Sequence, residues 1–258
     1  VPLLHEVFGD AWFERGCISA HYQTMVVEGE EVRVMVEHVS DVSQVARISA
    51  EKRDGTPVLT GTASLGPDYG ETELDVRRSR LRPSEQLVIL SDVEVGQLGA
   101  GNPEQASMAM DQHMGDMYPF SLAQKLQKIT ENHAYYGVDN PWGKAVMPLE
   151  MISVLTQYTS GESGFRTKGP AVGLFAGQEI KMINGPLFVD HEYLLEREII
   201  ALSESRRTES NWIMTRVYDA QTKVLVGEVI LKSATLKDSY AKYAEGAQAL
   251  GKDLSAEI

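Results

Sequence analysis

Two carboxylates stand where they could move protons. Asp139 lies in the turn-rich run His133-Ala134-Tyr135-Tyr136-Gly137-Val138-Asp139-Asn140-Pro141-Trp142-Gly143, and Glu150 lies in the first turn of an apolar helical stretch that starts at Pro148. His133 and Tyr136 flank the loop that holds Asp139, and His5 sits on the apolar helical stretch that opens the chain. An imidazole can accept or give a proton near neutral pH, a carboxylate can activate water, and a phenol can donate to a carbonyl. Each residue also has a plainer reading. Asp-Asn-Pro is ordinary turn chemistry, a first-turn Glu is favoured by the helix dipole, and a lone helical His or a Tyr beneath a loop is commonly just packed. Other chemistries find no support. There is no Gly-x-Gly-x-x-Gly and no phosphate loop, and the six histidines and one cysteine show no metal-ligand spacing. Gly161-Glu162-Ser163-Gly164 follows a helical stretch and so does not fit a nucleophile elbow. Cys17 reads as a small buried residue, His21 and His191 as structural residues on strand-like stretches, and His113 as part of a Met-rich loop.

The elements that must position these groups occur twice. Pro2-Leu3-Leu4-His5-Glu6-Val7-Phe8 and Pro148-Leu149-Glu150-Met151-Ile152-Ser153-Val154 each open an apolar stretch that stops at a glycine, Gly16 or Gly161. Each is followed by strand-like sequence ending in a similar segment, Val58–Leu65 or Val224–Leu231. Spacing predicts one helix over 2–15 and another over 148–160, the second burying Leu149, Ile152, Leu155 and Tyr158 or a rotated version of that face. Val32, Val34 and Val36 alternate with polar residues, and Asp54-Gly55 marks a hairpin turn between Val45–Lys52 and Val58–Leu65. Later strands are expected near Ala171–Ile183, Tyr193–Glu204, Ser210–Tyr218 and Lys223–Ala234, with Asp219-Ala220-Gln221-Thr222 as the second turn. Between the copies lie an Arg-rich segment from Asp75 to Arg82, an expected strand at Gln86–Val95, and a Gly-, Met- and Gln-rich loop from Gly96 to Met117. The second copy begins near Tyr118-Pro119-Phe120-Ser121 and includes a helical pattern over Leu122–Asn132. A polar, solvated helix is expected from Asp238. The reading is therefore α+β, with a first unit at 1–70, a crossover linker or flap at 71–120, and a second unit at 121–258.

The chain has 258 residues, 43% of them hydrophobic, enough for one large or two small domains with real cores. The single cysteine excludes an intrachain disulfide framework and fits a reducing, cytoplasmic setting. No apolar run reaches the length of a membrane span. A formal charge of −13 disfavours nucleic acid and anionic membranes as partners.

Gly137-x-x-Asn140-Pro141, Gly143-x-x-x-x-Pro148 and the duplication together resemble the double hotdog form of the MaoC-like hydratases and dehydratases. That resemblance implies two antiparallel sheets, each wrapped around a helix. It implies an acyl thioester of coenzyme A or phosphopantetheine as substrate, with no other cofactor and no metal. A carrier protein and a homodimeric partner belong to the same expectation. The MaoC-like loop Gly-Asp-x-Asn-Pro-Leu-His matches here at Gly137, Asn140 and Pro141, but Val138 fills its Asp slot and Gly143 its His slot. The catalytic His of the fatty-acid dehydratases would fall on Asn140, and that of the polyketide dehydratases on Asp139. Their helix acid would fall on Val154, and on Phe8 in the first copy, whose matching loop would precede Val1. The resemblance thus leaves Asp139, Asn140, His5, Glu150, Tyr136 and His133 as the catalytic candidates. It suggests Gly143, Trp142, Pro148, Arg166 and Lys168 for substrate binding, with Arg166, Lys168, Lys125 and Lys128 as holders of the coenzyme A phosphates. Hydration or dehydration is the leading expectation; thioester hydrolysis with Glu150 or Asp139 activating water, or a silent acyl-thioester-binding subunit, are the alternatives.

Overall fold

The computed structural model describes residues 1–40, 43–82, 84, 86–113, 120–129 and 131–252. Tyr118 and Pro119, at the expected start of the second copy, lie outside the described residues.

The strands are β1 (Gly16–Tyr22), β2 (Val32–Ser40), β3 (Ser43–Lys52), β4 (Pro57–Leu65), β5 (Glu104–Ser107), β6 (Gly173–Met182), β7 (Glu192–Glu204), β8 (Thr208–Asp219) and β9 (Leu225–Leu236). They form one antiparallel sheet in the order β2-β3-β4-β1-β6-β9-β8-β7-β5. The two copies meet where β1 pairs antiparallel with β6, with Ser19 opposite Glu179. An antiparallel pair carries a local two-fold axis. That axis exchanges β1 with β6, β4 with β9, β3 with β8 and β2 with β7, so the repeat read from the sequence becomes a pseudo-dyad. This is the double hotdog architecture.

Side chains alternate across β1, and the two faces have different covers. Ile18, Ala20 and Tyr22 face helix α5 (Leu149–Gln157), while Ser19 accepts the Leu74 N–H of helix α3 (Glu73–Ser79) on the other side. Helix α5 buries Met151, Ile152 and Leu155 against Ile180, Met182, Leu195, Val217 and Val229. Each such side chain contributes about 1.5–3 kcal/mol of burial. The buried face is rotated from the Leu149–Tyr158 stripe toward Met151; Tyr158 is exposed and its hydroxyl donates to the His113 carbonyl at 3.0 Å.

Several expectations are corrected. The helix expected over 2–15 is two, α1 (Pro2–Phe8) and α2 (Ala11–Arg15), because Gly9 takes φ +62° and breaks the turn. Among the described residues, the helical pattern at Leu122–Asn132 yields only α4 (Leu122–Leu126). Gln86–Val95 forms no strand among its described residues: both edges of β8 are already taken by β7 and β9. Its apolar residues pack instead, and the N–H groups of Val88, Ile89 and Leu90 donate to the fully buried Glu209 carboxylate at 2.8, 2.8 and 3.0 Å. The chain after Asp238 is not simply solvated either. Helix α6 (Tyr243–Ala249) buries Tyr243 and Ala247 on Val88 and Ile89; residues 253–258 lie outside the described residues. Within the Gly96–Met117 stretch, of which 114–117 lie outside the described residues, β5 extends the free edge of β7.

The Glu209 clasp gives a first prediction. Glu209→Gln replaces one acceptor oxygen with an amide that faces N–H donors, at a cost on the order of 1–3 kcal/mol. Urea unfolding should show the loss, and amide exchange at 88–90 should accelerate more than exchange in β8.

Candidate active site

The sequence candidates fall into two groups. The first lies where the broken first helix meets the loop before α5. The break at Gly9 brings Asp10 back to His5, and the loop brings His133 and Tyr135 onto the same spot. The hydrogen bonds run in one direction. The Tyr135 N–H donates to His133 Nδ1 at 3.1 Å, which puts the His133 proton on Nε2. His133 Nε2–H donates to His5 Nδ1 at 3.0 Å, and His5 Nε2–H donates to Asp10 Oδ1 at 3.0 Å. The Tyr135 hydroxyl donates to the same oxygen at 2.7 Å. These tautomers follow from the network. All four ring nitrogens are engaged within the cluster, and Phe13 packs against both imidazoles. The Tyr135 hydrogen bond, then that of His5, hold the Asp10 carboxyl below the usual range. Burial, then the charge of His5, push His133 down.

Tyr136 is buried and donates to Glu131 at 2.5 Å; burial, then that bond, hold its phenol far up. Asn140 is a scaffold. Its amide nitrogen donates to the carbonyls of Tyr135, Gly137 and Lys144 at 3.2, 2.8 and 2.6 Å, and its oxygen accepts the Trp142 N–H at 2.9 Å. Gly143 has φ +61°, the left-handed region. Asn140 and Gly143, two of the residues behind the resemblance, therefore build a turn. Trp142 packs edge-on to Phe13 and Tyr135, and Asp139 is exposed on that turn. Pro148 caps α5, its carbonyl accepting the N–H groups of Met151 and Ile152. Arg166 and Lys168 are exposed beyond the C-terminal end of α5, the opposite end from Glu150.

The second group is built on the junction of the two copies. A groove of about 180 Å³ runs along β1 and β6 beside the N-terminus of α5, lined by Ile18, Ala20, Tyr22, Leu149, Glu150, Gln178 and Ile180. The Tyr22 hydroxyl donates to Gln178 Oε1 at 3.4 Å, and Gln178 Nε2 donates to Ser153 Oγ at 2.6 Å. Burial, then the Glu150 charge, raise the Tyr22 phenol, so it stays a proton donor. Glu150 Oε1 takes the Lys125 ammonium at 2.6 Å, and the Glu150 side chain remains 60% exposed. With the Met151 and Ile152 N–H groups bonded to the Pro148 carbonyl, those of Leu149 and Glu150 stand at the positive end of the α5 dipole. Glu150 also borders a neighbouring cleft of about 350 Å³ that holds Lys125 and Lys128.

Of the sequence candidates, the structure brings His5 and His133 together and places Glu150 alone at the groove. Sequence reasoning missed Tyr22, Ser153 and Gln178. Ser153 was legible in part, since it follows Glu150 by three residues on one helical face. Tyr22 and Gln178 depended on the β1–β6 register. His21 and His191 are structural, bonded to the Ala176 carbonyl at 2.9 Å and to Asp219 at 2.6 Å. Among the described residues no group of His, Cys, Asp and Glu could hold a metal, and no helix is long and apolar enough to cross a membrane.

The imidazoles predict a pH dependence of stability. Burial, then Arg77 and Lys232, lower His21 as well. Both His133 and His21 hold their protons less well folded than unfolded. The unfolded chain therefore binds more protons once pH falls below about 6.5, and stability rises with pH up to that value. The urea midpoint should drop between pH 7 and pH 5, and His133→Gln should narrow that difference by the His133 share while His21 keeps the rest.

No family model matches the sequence, and no curated protein matches it. Solved structures do. A conserved hypothetical protein from Mycobacterium tuberculosis, essential for bacterial survival during infection and with a double hotdog fold, aligns over 91% of this chain and 79% of its own at 10% identity and a TM-score of 0.52. A Chloroflexus aurantiacus protein named as a MaoC domain dehydratase aligns over 91% and 80% at 13% identity and a TM-score of 0.53. At these identities the likeness is one of fold.

Proposed function

We propose that this double hotdog chain hydrolyses acyl thioesters in the groove between its two copies. The observation that carries this reading is the groove's polar lining: among the described residues it holds one carboxylate, Glu150, with Tyr22 and Gln178, while the imidazoles are closed into their own chain. Adding water across a carbon–carbon double bond asks for a base and an acid on opposite sides of two carbons. Hydrolysis asks for one base to activate water and for donors at the carbonyl oxygen. The groove has that set. Glu150 takes a proton from water as the hydroxide oxygen bonds to the thioester carbon. The Leu149 and Glu150 N–H groups at the start of α5 and the Tyr22 hydroxyl receive the developing oxyanion. The carbon–sulfur bond then breaks, and the thiolate leaves with the proton held by Glu150. Lys128, exposed in the adjoining cleft, suits a phosphate of coenzyme A or a phosphopantetheine arm, while Lys125 stays on Glu150.

Hydration of an enoyl thioester in the same groove would use Glu150 as base and Tyr22 as acid, and one experiment separates the two. The protein is incubated with saturated, enoyl- and 3-hydroxyacyl-CoA thioesters, following free thiol by colour and water gain or loss by mass in the same wells. Free thiol is expected. A mass change of one water without thiol would replace hydrolysis by hydration, and no turnover on any of the panel would sink both.

A further inference from the structure

Resting on the preceding reading of the groove, we propose that the acyl group is long and apolar, and that its distal carbons lie in a second groove beyond Tyr22. That second groove has a volume of about 480 Å³ and is lined by Tyr22, Met25, Val26, Leu59, Leu174 and Phe175, among others. Its lining is apolar but open to solvent: Met25 is 73% exposed, Phe175 58%, Leu174 41% and Val26 40%. A chain with a formal charge of −13 that leaves so many large apolar side chains together at one place is marking a binding surface.

Continuity identifies the occupant. Tyr22 lines both grooves, as Glu150 lines both the reaction groove and the lysine-bearing cleft. The three cavities therefore follow one another as a charged cleft with Lys125, Lys128, Glu131 and Glu150, a groove carrying Glu150, Gln178 and Tyr22, and an apolar groove. A thioester of a long-chain acid has the same order: phosphorylated carrier, carbonyl, hydrocarbon. A short or polar acyl group would end before Tyr22 and leave the second groove uncovered. Tyr22 stands at the junction, bordering both grooves, so the hydroxyl that serves the carbonyl also marks where the hydrocarbon begins.

The test is affinity against chain length. Non-hydrolysable alkyl-CoA thioethers, from butyl to hexadecyl, are titrated calorimetrically into the full chain below their micelle concentrations. Affinity should climb with length, by about three- to fourfold for each CH₂ fully buried, and continue to climb through the longer members. Met25→Glu, on the exposed segment before β2, and Leu174→Asp should each flatten the climb at long lengths. Because Met25 is exposed, its substitution keeps the test open if Leu174→Asp does not fold. A flat series in the unaltered chain would overturn the proposal. So would a dimer, seen by sedimentation, that dissociates on Met25→Glu, since a second copy would then cover the groove. A climbing series without thiol release from any acyl-CoA would support the apolar groove and overturn hydrolysis alone.

Discussion

Glu150→Gln is expected to lower thiol release from an acyl-CoA substrate by two to four orders of magnitude, the contribution of a positioned general base, while leaving ligand affinity close to that of the unaltered chain. The amide keeps the size and hydrogen-bonding reach of the side chain but cannot take a proton from water. Its oxygen can still accept from Lys125, which now holds Glu150 Oε1 at 2.6 Å. Helix α5 should stand as before, because Glu150 is an exposed first-turn residue and the helix is held by Met151, Ile152 and Leu155. A fall in kcat with little change in KM separates loss of the base from loss of binding. Asp139→Asn serves as the control: Asp139 is exposed on the turn before α5, and its substitution should leave turnover unchanged. If the two variants behave the other way round, the base lies on the loop, and the polar lining of the groove has been misread.

Glu104→Gln should cost about 3–5 kcal/mol, the usual result of leaving one member of a buried ion pair uncompensated. For a chain of this size that is a fall in Tm of roughly 6–20 °C. Arg197 is fully buried on β7. It bonds Glu104 of β5 and, through its other nitrogen, the Thr156 carbonyl at 2.7 Å and Thr159 Oγ1 at 2.9 Å. Ser163 donates to Glu104 at 3.0 Å. Burial opposes ionisation of Glu104, but the hydrogen bonds from Thr159 and Arg197 and the Arg197 charge outweigh it, so its carboxyl sits below the usual range. This contribution is present above about pH 4.5 and is lost as acid protonates the carboxylate. Replacing Arg197 alone by Met should be comparably damaging, since it strands Glu104. Joining it with Glu104→Leu should cost less than the sum of the single changes, because neither charge then remains buried. A sum equal to the single effects would mean that the pair is uncoupled. The pair ties the crossover edge strand to the C-terminal end of the helix whose other end carries Glu150.

What the sequence revealed follows from how local each signal is. Alternation at Val32, Val34 and Val36 and the Asp54-Gly55 turn announced β2, β3 and β4 because strand pairing across a tight turn is local. The duplication announced the pseudo-dyad. Gly9 hid inside an unbroken apolar pattern, so the split that brings Asp10 to His5 was not visible as periodicity. Leu87–Leu90 reads as a strand because apolar runs look alike whatever satisfies their backbone; here the acceptor is the side chain of Glu209, far along the chain. The Gly137–Pro148 motifs pointed to the right fold, but Asn140 and Gly143 shape a turn. The groove was least legible, since Tyr22 and Gln178 meet only through the β1–β6 register, and a register between copies leaves no short-range mark.

The most direct test of the central claim is a crystal structure of the chain with a non-hydrolysable acyl-CoA thioether. The head group should lie on the Lys128 side of the cleft, the sulfur and reacting carbon beside Glu150 and the first turn of α5, and the alkyl chain along β1 and β6 toward Tyr22. A ligand seated instead against His5, His133 and Asp139, with the β1–β6 groove empty, would contradict the account.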